Sequence, residues 1–111
     1  MSPPAKAEVK WEVTKGFKDS YNKYKAHTPE IKGAMAEFNR HKRQVPPNPL
    51  PAKMKDHKLG GPLKGFMDCH LADDVILIYK HQPNGGAKLF LVCEHKDLKG
   101  PKAKDLAKRL K

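Results

Sequence analysis

The chain of 111 residues has little cysteine, few acidic residues and no long apolar run, and each shortage excludes a class of protein. Its two cysteines, Cys69 and Cys93, are too few for a disulfide framework, which indicates a reducing compartment in which both remain thiols. No apolar run approaches the roughly 18 residues that a membrane helix needs, and no apolar signal segment follows the charges near the N-terminus. We therefore expect a cytoplasmic protein.

Basic residues outnumber acidic ones by 23 to 12, so the formal net charge is +11 with the histidines neutral. Such a charge on a small domain favours polyanionic partners, above all nucleic acid, because Lys and Arg that bind phosphates release condensed counterions. Arginine occurs only at Arg40, Arg43 and Arg109. Lysine is a hydrated point charge poorly suited to reading base edges, so contact with the nucleic-acid backbone is favoured over sequence-specific recognition of DNA.

The length fits a single domain over residues 1–111, with one core and no enclosed chamber, so we expect any chemistry on an open face. Alternation of Val9, Trp11 and Val13 with charged residues predicts a strand over 9–14, after a flexible stretch at 1–8. Two short helices follow, joined near His27. Their core positions have helical spacing and are Phe17, Tyr21, Tyr24, Ile31, Met35 and Phe38.

Four prolines between Gln44 and Pro51 exclude a helix or central strand there and separate a β-rich back part. Apolar runs near 66–71, 75–80 and 88–93 predict an antiparallel meander, with a hairpin turn at Pro83–Gly86. Residues 99–111 predict a basic amphipathic C-terminal helix. The order β-α-α-β-β-β-α indicates an α+β fold, with helices packed on one face of a small antiparallel sheet and the other face free.

Histidines near carboxylates are the candidates for chemistry. His70 ends one predicted strand, Asp74 opens the next and His95 ends the last, so a meander brings these side chains to one sheet edge. We expect His57 to join them from the preceding loop. Imidazoles near their ordinary pKa exchange protons at neutral pH, and a pair of them can serve as base and acid on opposite sides of a phosphorus. This set suits metal-free cleavage of RNA, whose 2′-hydroxyl is an internal nucleophile.

A zinc site is the alternative use of these strands, since Cys69, His70, Cys93 and His95 are four nominal N/S donors. It is disfavoured because adjacent Cys69 and His70 point to opposite faces of a strand and no Cys-x-x-Cys knuckle is present. A cysteine nucleophile is disfavoured further, because thiols within apolar strands are usually small buried hydrophobes. We therefore expect neither a metal nor another cofactor.

Three segments carry a family resemblance: KDHKLGG (55–61), LKGFMDCH (63–70) and DVILIYK (74–80). Together they resemble the YafQ-like branch of the RelE/ParE toxin superfamily, whose members have a pattern close to DHxLxGxxKGxRDxHxxxDWxLIYK. The segment Glu94–Leu98 is similar to the family's closing Gly-Thr-His-x-x-Leu. Val75 stands where the family has Trp, and Leu91 stands where it usually has Arg.

The resemblance implies a RelE-like fold and the toxin of a type II toxin–antitoxin pair. Such toxins bind the ribosomal A site and cut translated mRNA, and a cognate antitoxin blocks them. The positions that match the family's catalytic residues are His57, His70, Asp74 and His95. The lysines expected to contact RNA are Lys55, Lys58, Lys64, Lys80 and Lys88. The alternative is a non-catalytic toxin or binding module of the same superfamily, acting on gyrase or ribosomal RNA, which has no need of the histidine set.

Overall fold

The computed structural model describes residues 11–42, 50, 52–81, 87–98 and 101–110. The predictions for the flexible stretch 1–8 and the turn at Pro83–Gly86 lie outside these ranges, as does most of the segment Gln44–Pro51. The described elements form a five-stranded sheet with three α-helices, which confirms the predicted α+β class.

Helices α1 (Lys15–His27) and α2 (Ile31–Lys42) lie where the apolar spacing predicts them. Thr14 caps α1, because its hydroxyl oxygen accepts the backbone N–H of Phe17 at 3.0 Å. The apolar stripes of both helices pack on one face of the sheet, and Phe38 there meets the ring of Tyr79 edge-on. These two helices therefore bury the first core.

The five strands are β1 (Trp11–Val13), β2 (His57–Lys58), β3 (Met67–His70), β4 (Val75–His81) and β5 (Ala87–Glu94). Their order across the sheet is β1-β5-β4-β3-β2. Strands β3, β4 and β5 form the antiparallel meander that the sequence predicts, and each overlaps its predicted apolar run.

Two pairings differ from the prediction. Strand β1 pairs with β5 in parallel, with Trp11 opposite Ala87, although the sequence predicts a wholly antiparallel sheet. His57 lies on the edge strand β2 opposite Asp68, not in a loop. The first pairing joins segments that are distant in sequence, and β2 has only two residues, so local periodicity specifies neither.

Helix α3 (Pro101–Leu110) packs on the face opposite α1 and α2. The face that the sequence predicts to be free is therefore partly covered. Leu106 of α3 is buried in a second cluster that includes Ile76, Ile78 and Phe90. None of the described helices is long and apolar enough to cross a membrane.

Candidate active site

The site residues lie on the α3 side of the sheet, beside the area that α3 covers. Because side chains alternate along a strand, Asp68 and His70 share one face of β3. They pair with Ile78 and Ile76, which belong to the cluster beneath α3. His57 pairs with Asp68 across the β2–β3 ladder and so joins the same face.

His57 is held by two oxygens at once. Its Nδ1 atom lies 2.8 Å from the carbonyl oxygen of Lys55 and 2.8 Å from Oδ1 of Asp68. Only the contact with Lys55 has the direction of a hydrogen bond, whereas Nδ1 and Oδ1 of Asp68 lie close together without that direction. A ring nitrogen between two acceptors must carry a proton, which leaves Nε2 as the second ring nitrogen of His57.

Asp68 is a completely buried carboxylate on a polar part of this face. Neither of its oxygens has a hydrogen-bond donor within the described part of the chain. Burial raises the pKa of Asp68, and the nearby His57, His70 and His95 lower it in part. All three histidines therefore act electrostatically on the carboxylate of Asp68.

His70 and His95 meet directly, although 24 residues separate them in the chain. Their rings are perpendicular, with centroids 5.3 Å apart. His70 ends β3, whereas His95 begins a 3-10 helix, His95–Leu98, that directly follows β5. The pairing of β3 and β5 with β4 brings these two strand ends to the same edge.

Asp74 does not join this cluster in the structure. It lies exposed in the bend before β4. Its carboxylate forms no hydrogen bond or ion pair with any of the residues that the structure describes. The carboxylate that contacts a histidine is instead Asp68, which the sequence interpretation did not include among the site residues. The available signal was a charged residue within an apolar strand, two positions before His70.

A second interaction that the sequence interpretation missed anchors the edge strand. The hydroxyl of Tyr79, buried on the opposite face, donates a hydrogen bond to the carboxylate of Asp56, the residue before His57. Burial and this carboxylate raise the pKa of Tyr79, which therefore remains a donor. The hydrogen bond between Tyr79 and Asp56 joins the segment next to His57 to the first core.

The lysines predicted to contact RNA form two groups. Lys55 and Lys58 are exposed on either side of His57. Lys80 and Lys88 lie opposite each other on β4 and β5, with their ammonium groups over the rings of Phe66 at 4.4 Å and Phe90 at 5.2 Å. Lys80 lies four positions after Ile76, the partner of His70, which is about 13 Å along β4. Lys64 is exposed in the loop before β3.

The two cysteines are buried thiols on opposite faces of the sheet. Cys69 packs in the first core with Leu77, and Cys93 packs in the second with Ile76. Cys69, His70, Cys93 and His95 therefore do not converge on one point. Among the described residues, no group of three or more His, Cys, Asp or Glu side chains has a geometry that could hold a metal ion.

Comparison with known proteins relates the chain to one toxin family. Residues 9–100 match the family described as "Bacterial toxin of type II toxin-antitoxin system, YafQ". The mRNA interferase toxin YafQ of Escherichia coli K12 is 59% identical over 32 residues, which are 29% of this chain and 35% of that protein. The chain spans about a third of the length of the curated relatives that it matches.

Solved structures of YafQ proteins have the same arrangement of elements. YafQ from Escherichia coli BL21(DE3) superimposes with a TM-score of 0.65 at 27% identity, over 84% of this chain and 100% of that chain. The toxin in the Escherichia coli DinJ–YafQ complex superimposes with a TM-score of 0.64 at 26% identity, over the same shares of each chain.

Proposed function

The chain belongs to the YafQ family of bacterial toxins of type II toxin–antitoxin systems, and we propose that it is a ribosome-dependent endonuclease of messenger RNA. The observation that carries this proposal is the contact of His70 with His95 beside the buried carboxylate of Asp68. A protein that acts by binding alone has no need of three imidazoles around one carboxylate. The Escherichia coli relative is named an mRNA interferase toxin, which supports the same reading.

The proposed reaction is an internal transfer at phosphorus. One imidazole takes the proton of the 2′-hydroxyl while the 2′ oxygen forms its bond to phosphorus. The bond from phosphorus to the 5′ oxygen breaks, and a second imidazole gives that oxygen a proton. His70 and His95 are the proposed base and acid, because the contact of their rings puts both imidazoles within reach of one phosphate group.

The remaining site residues support this pair. Asp68 approaches Nδ1 of His57 at 2.8 Å, and we propose His57 as a third proton-exchanging group. Asp74 is exposed in the bend before β4, and we propose that it orients the substrate or an imidazole once RNA is bound.

The positive charge that a cleaving site needs is proposed to come from lysine. Leu91 stands where the family usually has Arg, and it is buried. It pairs with Ile78 of β4, which in turn pairs with Asp68 of β3. An apolar side chain there cannot bind phosphate. We propose that Lys55 and Lys58 neutralise the reacting phosphate and that Lys64, Lys80 and Lys88 contact RNA further along the face.

The proposed partners are the ribosome with its message at the A site, and a cognate antitoxin. Solved complexes of DinJ with YafQ support the second of these. The net charge of +11 favours an antitoxin that binds this basic protein through an acidic segment. A ribosomal target requires the cytoplasmic location that we expect from the sequence.

Primer extension on a message translated in a purified system tests the proposal. We expect cuts at defined positions only when ribosomes translate, because a small open site needs the ribosome to orient the message. The same RNA without ribosomes should survive. Efficient, position-specific cleavage of naked RNA would contradict ribosome dependence, and an intact message on translating ribosomes would contradict the nuclease proposal itself.

A further inference from the structure

His95 is carried by a turn whose shape depends on one side chain. The backbone N–H of Glu94 donates to Oδ2 of Asp97 at 3.1 Å. Asp97 is the third residue of the 3-10 helix His95–Leu98, and Glu94 directly precedes that helix. The carboxylate of Asp97 therefore reaches back to the backbone amide just before the helix. This is half of a capping box, and it fixes the direction in which the chain leaves β5.

The outer edge of β5 leading to this turn is bound by helix α1. Within the described residues, strand β1 pairs with β5 from Ala87 to Leu89. Beyond that point the hydroxyl of Thr14 donates to the carbonyl oxygen of Phe90 at 2.9 Å. The hydroxyl of Ser20 accepts the N–H of Val92 at 2.9 Å. Side chains of α1 therefore replace the missing strand up to the turn that carries His95.

Tyr24 continues this row one helical turn beyond Ser20. It lines a cleft of about 500 Å³ between α1, β5 and α3, together with Asp97. Burial and the nearby charges of Glu94 and Asp97 raise the pKa of Tyr24 to about 12. Its hydroxyl therefore stays protonated and can donate to Glu94, while the charge of Asp97 acts on it from the same cleft.

We propose that Asp97, supported by Tyr24, is a positioning residue for His95, because its carboxylate fixes the turn that directs the His95 ring against His70. The proposal rests on the proposed function, in which His95 exchanges a proton with the RNA. Asp97 itself touches neither the message nor the reacting atoms. Loss of Asp97 should change where the His95 imidazole lies, while the sheet and the lysines proposed to contact RNA stay intact.

Two variants of the same residue separate this role from simple removal of charge. Asp97→Ala deletes the acceptor for the Glu94 amide, whereas Asp97→Asn keeps an acceptor oxygen and removes the charge. Asp105→Ala is the matched control, since Asp105 is an exposed carboxylate that lines the same cleft from α3. Tyr24→Phe removes only the hydroxyl and serves as a second probe if Asp97→Ala does not fold.

The first measurement needs no ribosome: nuclear Overhauser contacts between the ring protons of His70 and His95 in protein with labelled histidines. The second is the single-turnover rate of message cleavage on loaded ribosomes, with ribosome affinity measured in parallel. For Asp97→Ala we expect the ring contact to vanish and the rate to fall about 100-fold, typical of a misplaced reacting group, with affinity unchanged. Asp97→Asn and the control should keep the ring contact and a rate close to that of the unmodified protein.

An unchanged ring contact and rate in both Asp97→Ala and Tyr24→Phe would overturn the proposal. Loss of the contact in Asp105→Ala would overturn it as well, because the effect would then belong to the cleft as a whole. If the unmodified protein does not cut the message, the proposed function fails, and the ring contact alone still decides whether Asp97 positions His95.

Discussion

The Nδ1 atom of His57 lies 2.8 Å from Oδ1 of Asp68, a carboxylate that is completely buried and raised in pKa by that burial. A buried charge that has no hydrogen-bond donor among the described residues lowers stability. We propose that Asp68, beside three histidines, serves the proposed reaction. We therefore expect the Asp68 carboxylate to lower the stability of the fold while it supports cleavage.

Replacing Asp68 by Asn should stabilise the protein at neutral pH and slow cleavage. The folded state holds the Asp68 proton more tightly than the unfolded chain, so ionisation of Asp68 removes stability as the pH rises above its ordinary pKa of 3.8. At a pH above the folded-state pKa, the free energy of unfolding is lower by about 1.4 kcal/mol for each pH unit by which folding raises the pKa of Asp68. Denaturant unfolding at acidic and neutral pH should show the advantage of Asp68→Asn growing with pH.

The exposed Asp73 supplies the control for this variant. Asp73→Asn should leave the free energy of unfolding within about 0.5 kcal/mol of the unmodified protein at each pH. An Asp68→Asn protein that is less stable at neutral pH would show that the carboxylate stabilises the fold, against our interpretation of its burial.

Asp74→Asn should slow cleavage without changing the stability of the free protein. The Asp74 side chain is exposed and makes no ion pair or hydrogen bond with the described residues, so its role requires bound RNA. We expect the unfolding midpoint to match that of Asp73→Asn while the cleavage rate on ribosomes falls well below it. Equal cleavage by the two variants would remove Asp74 from the site.

Leu106→Ala should destabilise the protein by about 2–5 kcal/mol, the usual cost of truncating a buried leucine. Leu106 is 4% exposed and packs on the second face of the sheet. Thermal or denaturant unfolding measures the loss, with Lys104→Ala as an exposed control on the same helix. If Leu106→Ala unfolds like this control, α3 does not cover the sheet as described.

The rate at which the antitoxin associates should fall as salt is added. Long-range attraction between the basic toxin and an acidic segment is screened by ions, whereas apolar contacts are not. Stopped-flow association at low and high ionic strength measures the effect. A rate that does not change with salt would contradict the electrostatic part of the proposed interaction.

Local pattern in the sequence predicted the helices and the meander, because apolar spacing specifies which face of each element is buried. It did not predict the parallel pairing of β1 with β5, which joins segments distant in the chain, or the strand at His57, which is too short to show a period. Strand order alone led us to expect His70 and His95 at one sheet edge, and the structure brings their rings together there.

The role of Asp68 could not be predicted in the same way, because it depends on complete burial among side chains from other strands. Asp74 illustrates the converse. It belongs to the family motif and lies next to β4, yet its side chain points into solvent in the free protein.

The central claim is that His70 and His95 cut the message by proton exchange, and end-group analysis of single-turnover cleavage on ribosomes tests it most directly. We expect fragments with a 2′,3′-cyclic or 3′ phosphate and a 5′-hydroxyl, and rates reduced about 10²- to 10⁴-fold in His70→Ala and in His95→Ala. His81→Ala, exposed at the far end of β4, is the control and should cut normally. Full activity in the His70/His95 double variant, or 5′-phosphate ends of the kind left by a metal-activated water, would contradict the account.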